Sequence, residues 1–238
     1  MIVYVNTPVE GVYRDGVEFG CVTTYANPLT VDELKKCRHV LVDQGLGAAR
    51  RRLSDGEIQR FYARSIKAAR AARSDVIAIV PDAFDDMSLT VELWHRWAPR
   101  IEAWGATPVL MLQQPRRIMD WVRTEAFRAA LYVAIPSRWI GSIRCATMSW
   151  LCAKIEGTVA RIVAETGKKV HIAGGTLPVL RLLRDLFDQA IHSFDTMAYR
   201  LAGNKKLKKK NGGHYMATKA VELEYLLEWL NALYGGRP

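Results

Sequence analysis

Short, almost wholly apolar runs alternate with amphipathic stretches along most of the chain, and this alternation limits the fold more than any other feature. Residues 1–5, 39–42, 76–80, 108–112, 131–135, 170–173 and 190–194 read as strands. A strand apolar at nearly every position is buried on both faces, as in a parallel sheet covered by helices. Helical segments are expected over 54–73, 89–104, 116–130, 143–166, 177–189 and 218–233. Ser54 with Glu57, and Thr30 with Glu33, have the spacing of capping boxes, and Gly105 is placed to stop a helix. Residues 11–24 alternate loosely and read as a hairpin or an excursion across one end, while 213–217 supply a weak eighth strand. The strand-to-strand spacing predicts a compact (β/α)8 TIM-type barrel in a single domain over residues 1–238, with a doubly wound open sheet as the alternative. No GxGxxG or GxxxxGK[ST] follows the first strand, which argues against a dinucleotide fold or a P-loop enzyme.

At 238 residues, half of them apolar, the chain can bury one full core. No run approaches the roughly 18 apolar residues that a membrane span needs, and the first residues lack the pattern of a signal peptide. A cytoplasmic protein without membrane contact is therefore expected. Cys21, Cys37, Cys145 and Cys152 show no CxxC spacing and are expected to be free thiols, with Cys145 and Cys152 on one face of a helix. Neither a metal site nor a cofactor is indicated by this ligand inventory. The net charge of +10 suits an anionic partner or plain solubility. Its distribution is more informative, because Arg50, Arg51 and Arg52 form one cluster and Lys205, Lys206, Lys208, Lys209 and Lys210 another. Both fall in loops expected after strand ends, where two basic clusters on one rim would follow a phosphate backbone.

The residues just past the apolar runs form a polar set: Asp43, Asp82, Gln113, Ser137, Gly174 with Gly175, and Asp195. In a closed barrel these converge on one mouth although they are far apart in sequence. A single carboxylate in such a place often caps the next helix. Three aspartates and a glutamine at successive strand ends are better explained by shared chemistry. The glycine pair before a helix N-terminus also has the form of a phosphate site, which leaves an unrelated phosphosugar or other small-molecule barrel enzyme open.

Several of these motifs together resemble the tRNA-guanine transglycosylase superfamily. The stretch 193–204, SFDTMAYRLAGN, is similar to that family's nucleophile signature, with Phe194, Asp195 and Arg200 matching and Thr196 in place of a cysteine. Upstream, LVDQGLG at 41–47 resembles an Asp-Ser-Gly-Gly loop with Asp43 and Gly45 kept. SDVIAIVPD at 74–82 supplies the next aspartate, MLQQP keeps Gln113 without the family's following glycines, and HIAGG is a counterpart of a Met-Gly-Val-Gly turn. The order holds across about two-thirds of the chain. The family's zinc site has no counterpart after Asp195, which implies a divergent member without the zinc subdomain, on the branch that acts on DNA or on tRNA.

The resemblance implies an activity and a set of roles. Guanine in a polynucleotide would be exchanged for a free 7-deazaguanine-type base through a covalent glycosyl intermediate on Asp195. Asp43 would move the proton on the leaving or entering base. Asp82 and Gln113 would read the base together with Ser137, Gly174 and Gly175. Arg50, Arg51, Arg138, Arg200 and the lysines from 205 to 210 would hold flanking phosphates. A catalytically inactive, nucleic-acid-binding relative is the remaining alternative, and the oligomeric state is left open.

Overall fold

In the computed structural model of the chain, eight parallel strands close on themselves. They are β1 (Ile2–Val5), β3 (Val17–Thr24), β4 (His39–Asp43), β5 (Asp75–Ile79), β6 (Thr107–Met111), β7 (Tyr132–Pro136), β10 (Lys169–Ala173) and β11 (Ser193–Asp195). Each pairs in parallel with the next, and β11 pairs with β1 through Ile2 opposite Ser193 and Tyr4 opposite Asp195, so no edge remains. The structure describes residues 1–6, 12–13, 17–45, 53–137, 139–140, 143–144, 149–174, 177–187 and 190–195, with 228 and 231. The expected (β/α)8 barrel is the fold.

Two apolar layers account for the uniformly apolar strands. Tyr4, Val22, Leu41, Ile77, Ile79, Val109, Met111, Tyr132 and Ala134 fill the lumen. Alternate residues such as Val3, Val40, Val42, Val76, Ala78, Leu110, Val133, Val170 and Ile172 face outward into a larger core. That outer core is completed by α2 (Asp55–Ala71), α3 (Met87–Ala103), α6 (Ser149–Glu165) and α7 (Leu177–Phe187). Both capping boxes form, at Ser54 with Glu57 and at Thr30 with Glu33. The second of these opens only a single turn, α1 (Val31–Leu34).

Several expectations are corrected. Val17–Thr24 is a barrel strand that brings the number to eight, and the candidate at 213–217 lies outside the described residues, as does nearly all of 218–233. Strand β3 was obscured by Gly20 and Glu18, which interrupt its apolar pattern, and by β2 (Val12–Tyr13), which pairs antiparallel with it. Its presence moves each later strand along by one, so Asp195 ends the strand that closes the barrel. The segment expected as one helix from 143 instead begins with β9 (Ile143–Arg144), antiparallel to β8 (Trp139–Ile140), and α6 starts at Ser149. Residues 116–130 break into a 3-10 turn (Pro115–Arg117), α4 (Ile118–Trp121) and α5 (Glu125–Ala129), because Thr124 caps a new helix by accepting the Phe127 N–H.

The cysteines are also corrected. Cys21 on β3 is disulfide-bonded to Cys37, just before β4, and Cys152 is disulfide-bonded as well. Cys145 lies outside the described residues. The Cys21–Cys37 bridge spans 16 residues and ties down a connection whose only helix is one turn long. Constraining a loop of that size contributes on the order of 3 kcal/mol. Among the described residues no helix is long and apolar enough to cross a membrane.

Gly20 and Tyr4 sit directly opposite each other on β3 and β1. The Tyr4 ring, 2 % exposed, covers the space that a side chain at 20 would take, since a Cβ there would lie 2.5 Å from two ring carbons. The ring also meets His171 edge-on, with centroids 5.8 Å apart. Gly20→Ala is therefore expected to destabilise the barrel by about 1–3 kcal/mol, read as a lowered midpoint in chemical denaturation, and Tyr4→Leu in the same chain should recover part of the loss. An unchanged midpoint for Gly20→Ala would show that the lumen is not packed as described.

Candidate active site

All three aspartates and Gln113 lie at the C-terminal ends of strands, so they open on the same mouth. Asp43 ends β4 and turns back on its own loop, where its Oδ1 accepts the Gly45 N–H at 3.1 Å. Gly45 has φ +67°, a conformation glycine adopts without strain, and a Cβ there would press on Thr24 at 3.0 Å. Burial, with the charges of Asp195 and Asp82 adding to it, pushes the Asp43 carboxyl up to about 7.

Asp82 follows β5 and is gripped by two side-chain amides. Gln44 Nε2 donates to Oδ1 at 3.2 Å, and Gln113 Nε2 donates to Oδ2. The residues that carry these amides are themselves anchored. The Gln113 carbonyl oxygen accepts the Trp121 indole N–H at 2.7 Å, and its side-chain oxygen accepts the Asp85 N–H at 3.2 Å. The Gln44 backbone N–H donates to the Tyr62 hydroxyl, which donates in turn to the Ile79 carbonyl at 2.6 Å. Burial still raises the Asp82 carboxyl above the usual range, against the pull of both amides.

Asp195 ends β11. Its Oδ1 accepts the Gly174 N–H at 3.0 Å and lies 3.0 Å from His171 Nε2, while Oδ2 takes no hydrogen bond from a described residue. His171 is wholly buried in the lumen, and its Nδ1 lies 3.0 Å from the Ser193 hydroxyl. A carboxylate can only accept, so Nε2 carries the proton toward Asp195, and in the neutral ring Nδ1 accepts from Ser193. The order Ser–His–Asp is that of a hydrolase triad with its direction reversed. Here the serine is buried, and the aspartate, 18 % exposed, is the end that meets the mouth. Among the described residues His171 is the only basic side chain paired with any of the three aspartates.

Ser137 is held apart from this group. Its N–H donates to the Ala173 carbonyl at 2.9 Å, and its hydroxyl lies by Glu156 on α6, a wholly buried carboxyl pushed up to about 8 by burial. Gly174 is present at the mouth, but its N–H is committed to Asp195. Arg50, Arg51, Arg52, Arg138, Gly175, Arg200 and the lysines from 205 to 210 lie outside the described residues. Sequence reasoning missed Gln44 and His171. Gln44 stands inside a quoted motif, next to Asp43, whereas His171 reads simply as part of an apolar strand. Among the described residues no group of three or more His, Cys, Asp or Glu side chains is placed to hold a metal ion.

No family model matches the chain, and no curated protein is similar to it. Solved structures are similar to it in fold. One is a candidate dihydrodipicolinate synthetase from Pseudomonas aeruginosa, 18 % identical, covering 99 % of this chain and 77 % of that one with a TM-score of 0.51. Weaker likenesses are to a candidate lyase/mutase from Burkholderia cenocepacia (14 % identity, 94 % and 89 % coverage, TM-score 0.45) and a candidate fructose-1,6-biphosphate aldolase from Coccidioides immitis (10 %, 93 % and 71 %, 0.39). At the identity of the first, the likeness is one of architecture: the chain is a (β/α)8 barrel.

The raised carboxyls set a pH dependence of stability. Asp43 keeps its proton up to about pH 7 when folded but ionises near 3.8 when unfolded. Between those values the folded chain binds more protons, so stability is greatest at the acid end and falls as pH rises through the window. Glu156 acts in the same direction up to about pH 8. Asp43→Asn removes one of the three raised carboxyls, leaving Asp82 and Glu156, and is expected to lose less melting temperature than wild type between pH 4 and pH 8. Equal losses in calorimetry would mean that Asp43 ionises normally.

Proposed function

We propose that this mouth is the active site of an enzyme that transfers a glycosyl group by carboxylate chemistry, with Asp195 as nucleophile and Asp43 as general acid and base. The observation that carries the reading is the division of labour between the two groups. Asp43 is poised near neutrality, where a residue can both give and take a proton. Asp195 is fixed through one oxygen by Gly174 and His171, with the other oxygen directed to no described partner.

In the finer form of the proposal the substrate is guanine in DNA or tRNA, and the incoming group is a free 7-deazaguanine-type base. The Asp195 carboxylate attacks the anomeric carbon, the N-glycosidic bond breaks with its electron pair going to the base, and the Asp43 acid protonates that base as it leaves. The incoming base gives a proton to the Asp43 carboxylate and attacks the same carbon, which releases Asp195 and restores both groups. Asp82, with Gln44 and Gln113 fixing its direction, is suited to accept two adjacent N–H groups of a purine edge. The target base leaves its stack to reach a barrel mouth.

A second reading is a barrel enzyme for a small molecule such as a phosphosugar, in keeping with the name given to the Pseudomonas aeruginosa structure and the fold it shares with this chain. Two observations favour the first. Covalent catalysis on a carbonyl commonly uses a lysine amine. The barrel-strand lysine among the described residues, Lys169, opens β10 at the opposite end, with its Nζ 3.0 Å from the Tyr132 hydroxyl. The Gly174 N–H, a donor that a phosphate would need, is already engaged by Asp195.

The test is base exchange with a labelled base and denaturing electrophoresis. Wild type is expected to incorporate label and to trap a covalent adduct. Asp195→Asn should fold and bind the polynucleotide, trap nothing, and lose about 10³-fold or more in exchange. Exchange at the wild-type rate by Asp195→Asn would overturn the assignment. Nucleic-acid binding without exchange by wild type would indicate an inactive relative, and turnover of a phosphosugar instead would favour the second reading.

A further inference from the structure

Phe84 is the most exposed large apolar residue described, at 73 %, and it stands two residues beyond Asp82 on the loop from β5 to α3. A single exposed ring is ordinary. The loop that presents it is not, because nearly every residue around Phe84 is tied down. The Ala83 N–H donates to the Thr90 hydroxyl at 3.1 Å, and the Asp86 N–H donates to the Ala83 carbonyl at 3.1 Å. Asp86 caps α3 by accepting the Leu89 N–H at 3.0 Å. The Asp85 N–H is held by Gln113, and the Asp85 carbonyl accepts from Gln114 Nε2 at 2.6 Å.

Asp85 and Gln114 both have φ +55°, and they are two of only three described non-glycine residues in the left-handed region. Such a residue is strained and persists only where its surroundings enforce it. The two strained residues hold each other across neighbouring loops. Gln114 also accepts from Arg117 Nη1 at 3.3 Å, which ties in the turn that carries exposed Arg116. The result is a stiff rim that presents an aromatic face with a cation on the adjoining segment, outside the carboxylate pocket.

We propose that Phe84 is a stacking platform for a base next to the reacting nucleotide of a single-stranded or locally opened polynucleotide, with Arg116 near the adjoining phosphate. This rests on the glycosyl-transfer reading above. Aromatic side chains beside cations are how single strands are gripped without sequence preference, because every base offers a π-face. The loop backbone that carries the ring is ordered before binding, so little freedom is lost there. Its place on the rim, beyond Asp82, matches a neighbouring base and not the reacting one.

The test is a double-mutant cycle read by fluorescence anisotropy, with Asp195→Asn as the parent so that no covalent adduct forms. The probes are a labelled short single-stranded oligonucleotide with one guanine and the same strand with abasic sites flanking that guanine. The parent should bind the abasic strand about 10-fold more weakly. Phe84→Ala, with an unchanged melting temperature, should bind the intact strand about 10-fold more weakly and not distinguish the two strands. Phe84→Trp should behave as the parent and Phe84→Leu as Phe84→Ala.

Multiplying losses in the cycle, a Phe84→Leu chain that binds like the parent, or a parent that binds neither strand would overturn the proposal; the Leu result would point to a protein partner at an apolar spot. Base exchange by the wild-type chain is measured separately. Exchange without the coupling rejects the platform alone, and coupling without exchange rejects the proposed reaction alone.

Discussion

Placing Asp43 half-buried within the fields of Asp82 and Asp195 is the arrangement to which the rest of the mouth responds. Like charges brought out of water oppose one another, and with no lysine or arginine among the described residues paired with them, the usual outcome is that one of them takes up a proton. Asp43 does so, remaining protonated to about pH 7. The other two are satisfied by hydrogen-bond donors: the amides of Gln44 and Gln113 for Asp82, and the Gly174 N–H with His171 for Asp195. A lysine or arginine in their place would neutralise the group and remove its use as a proton carrier.

These donors depend on the barrel. His171 reaches Asp195 from the lumen because β10 and β11 are neighbours in register, with His171 opposite Ser193. Its position in turn requires the Tyr4 ring beside it, and the ring requires the absence of a side chain at Gly20. Gln113 is aimed by Trp121 and Asp85, and Gln44 by Tyr62, a buried residue of α2. Asp82 and Asp195 are thus oriented by side chains that are themselves anchored by the layer behind them, and Asp43 by the backbone of its own loop, which is the arrangement that fixes a reactive geometry.

The repeating architecture was legible because parallel strands buried on both faces leave a plain apolar signal, and the polar residues ending them stand out against it. Asp43, Asp82, Gln113 and Asp195 could be placed together at one mouth on that basis alone. Strand β3 was not legible: Glu18 and Gly20 face the lumen end and the Tyr4 ring, and both break the apolar pattern for reasons that exist only in the closed barrel. His171 was hidden in the same way, since a polar residue inside an apolar strand says nothing of the aspartate it will meet from the next strand. The Cys21–Cys37 bridge joins residues whose spacing has no signature and whose proximity follows from β3 lying beside β4. Gln44 was read only as part of a glycine loop, because its target, Asp82, lies 38 positions later.

The central claim is that the three carboxylates form one electrostatic unit in which Asp43 carries the mobile proton. Carbon-13 NMR of side-chain carboxyls through a pH titration tests it most directly. The account predicts that Asp43 titrates at about 7, and that its value falls in Asp195→Asn and in Asp82→Asn, because each substitution removes a neighbouring negative charge. An Asp43 carboxyl that titrates near 3.8, or one that does not respond to either substitution, would contradict it.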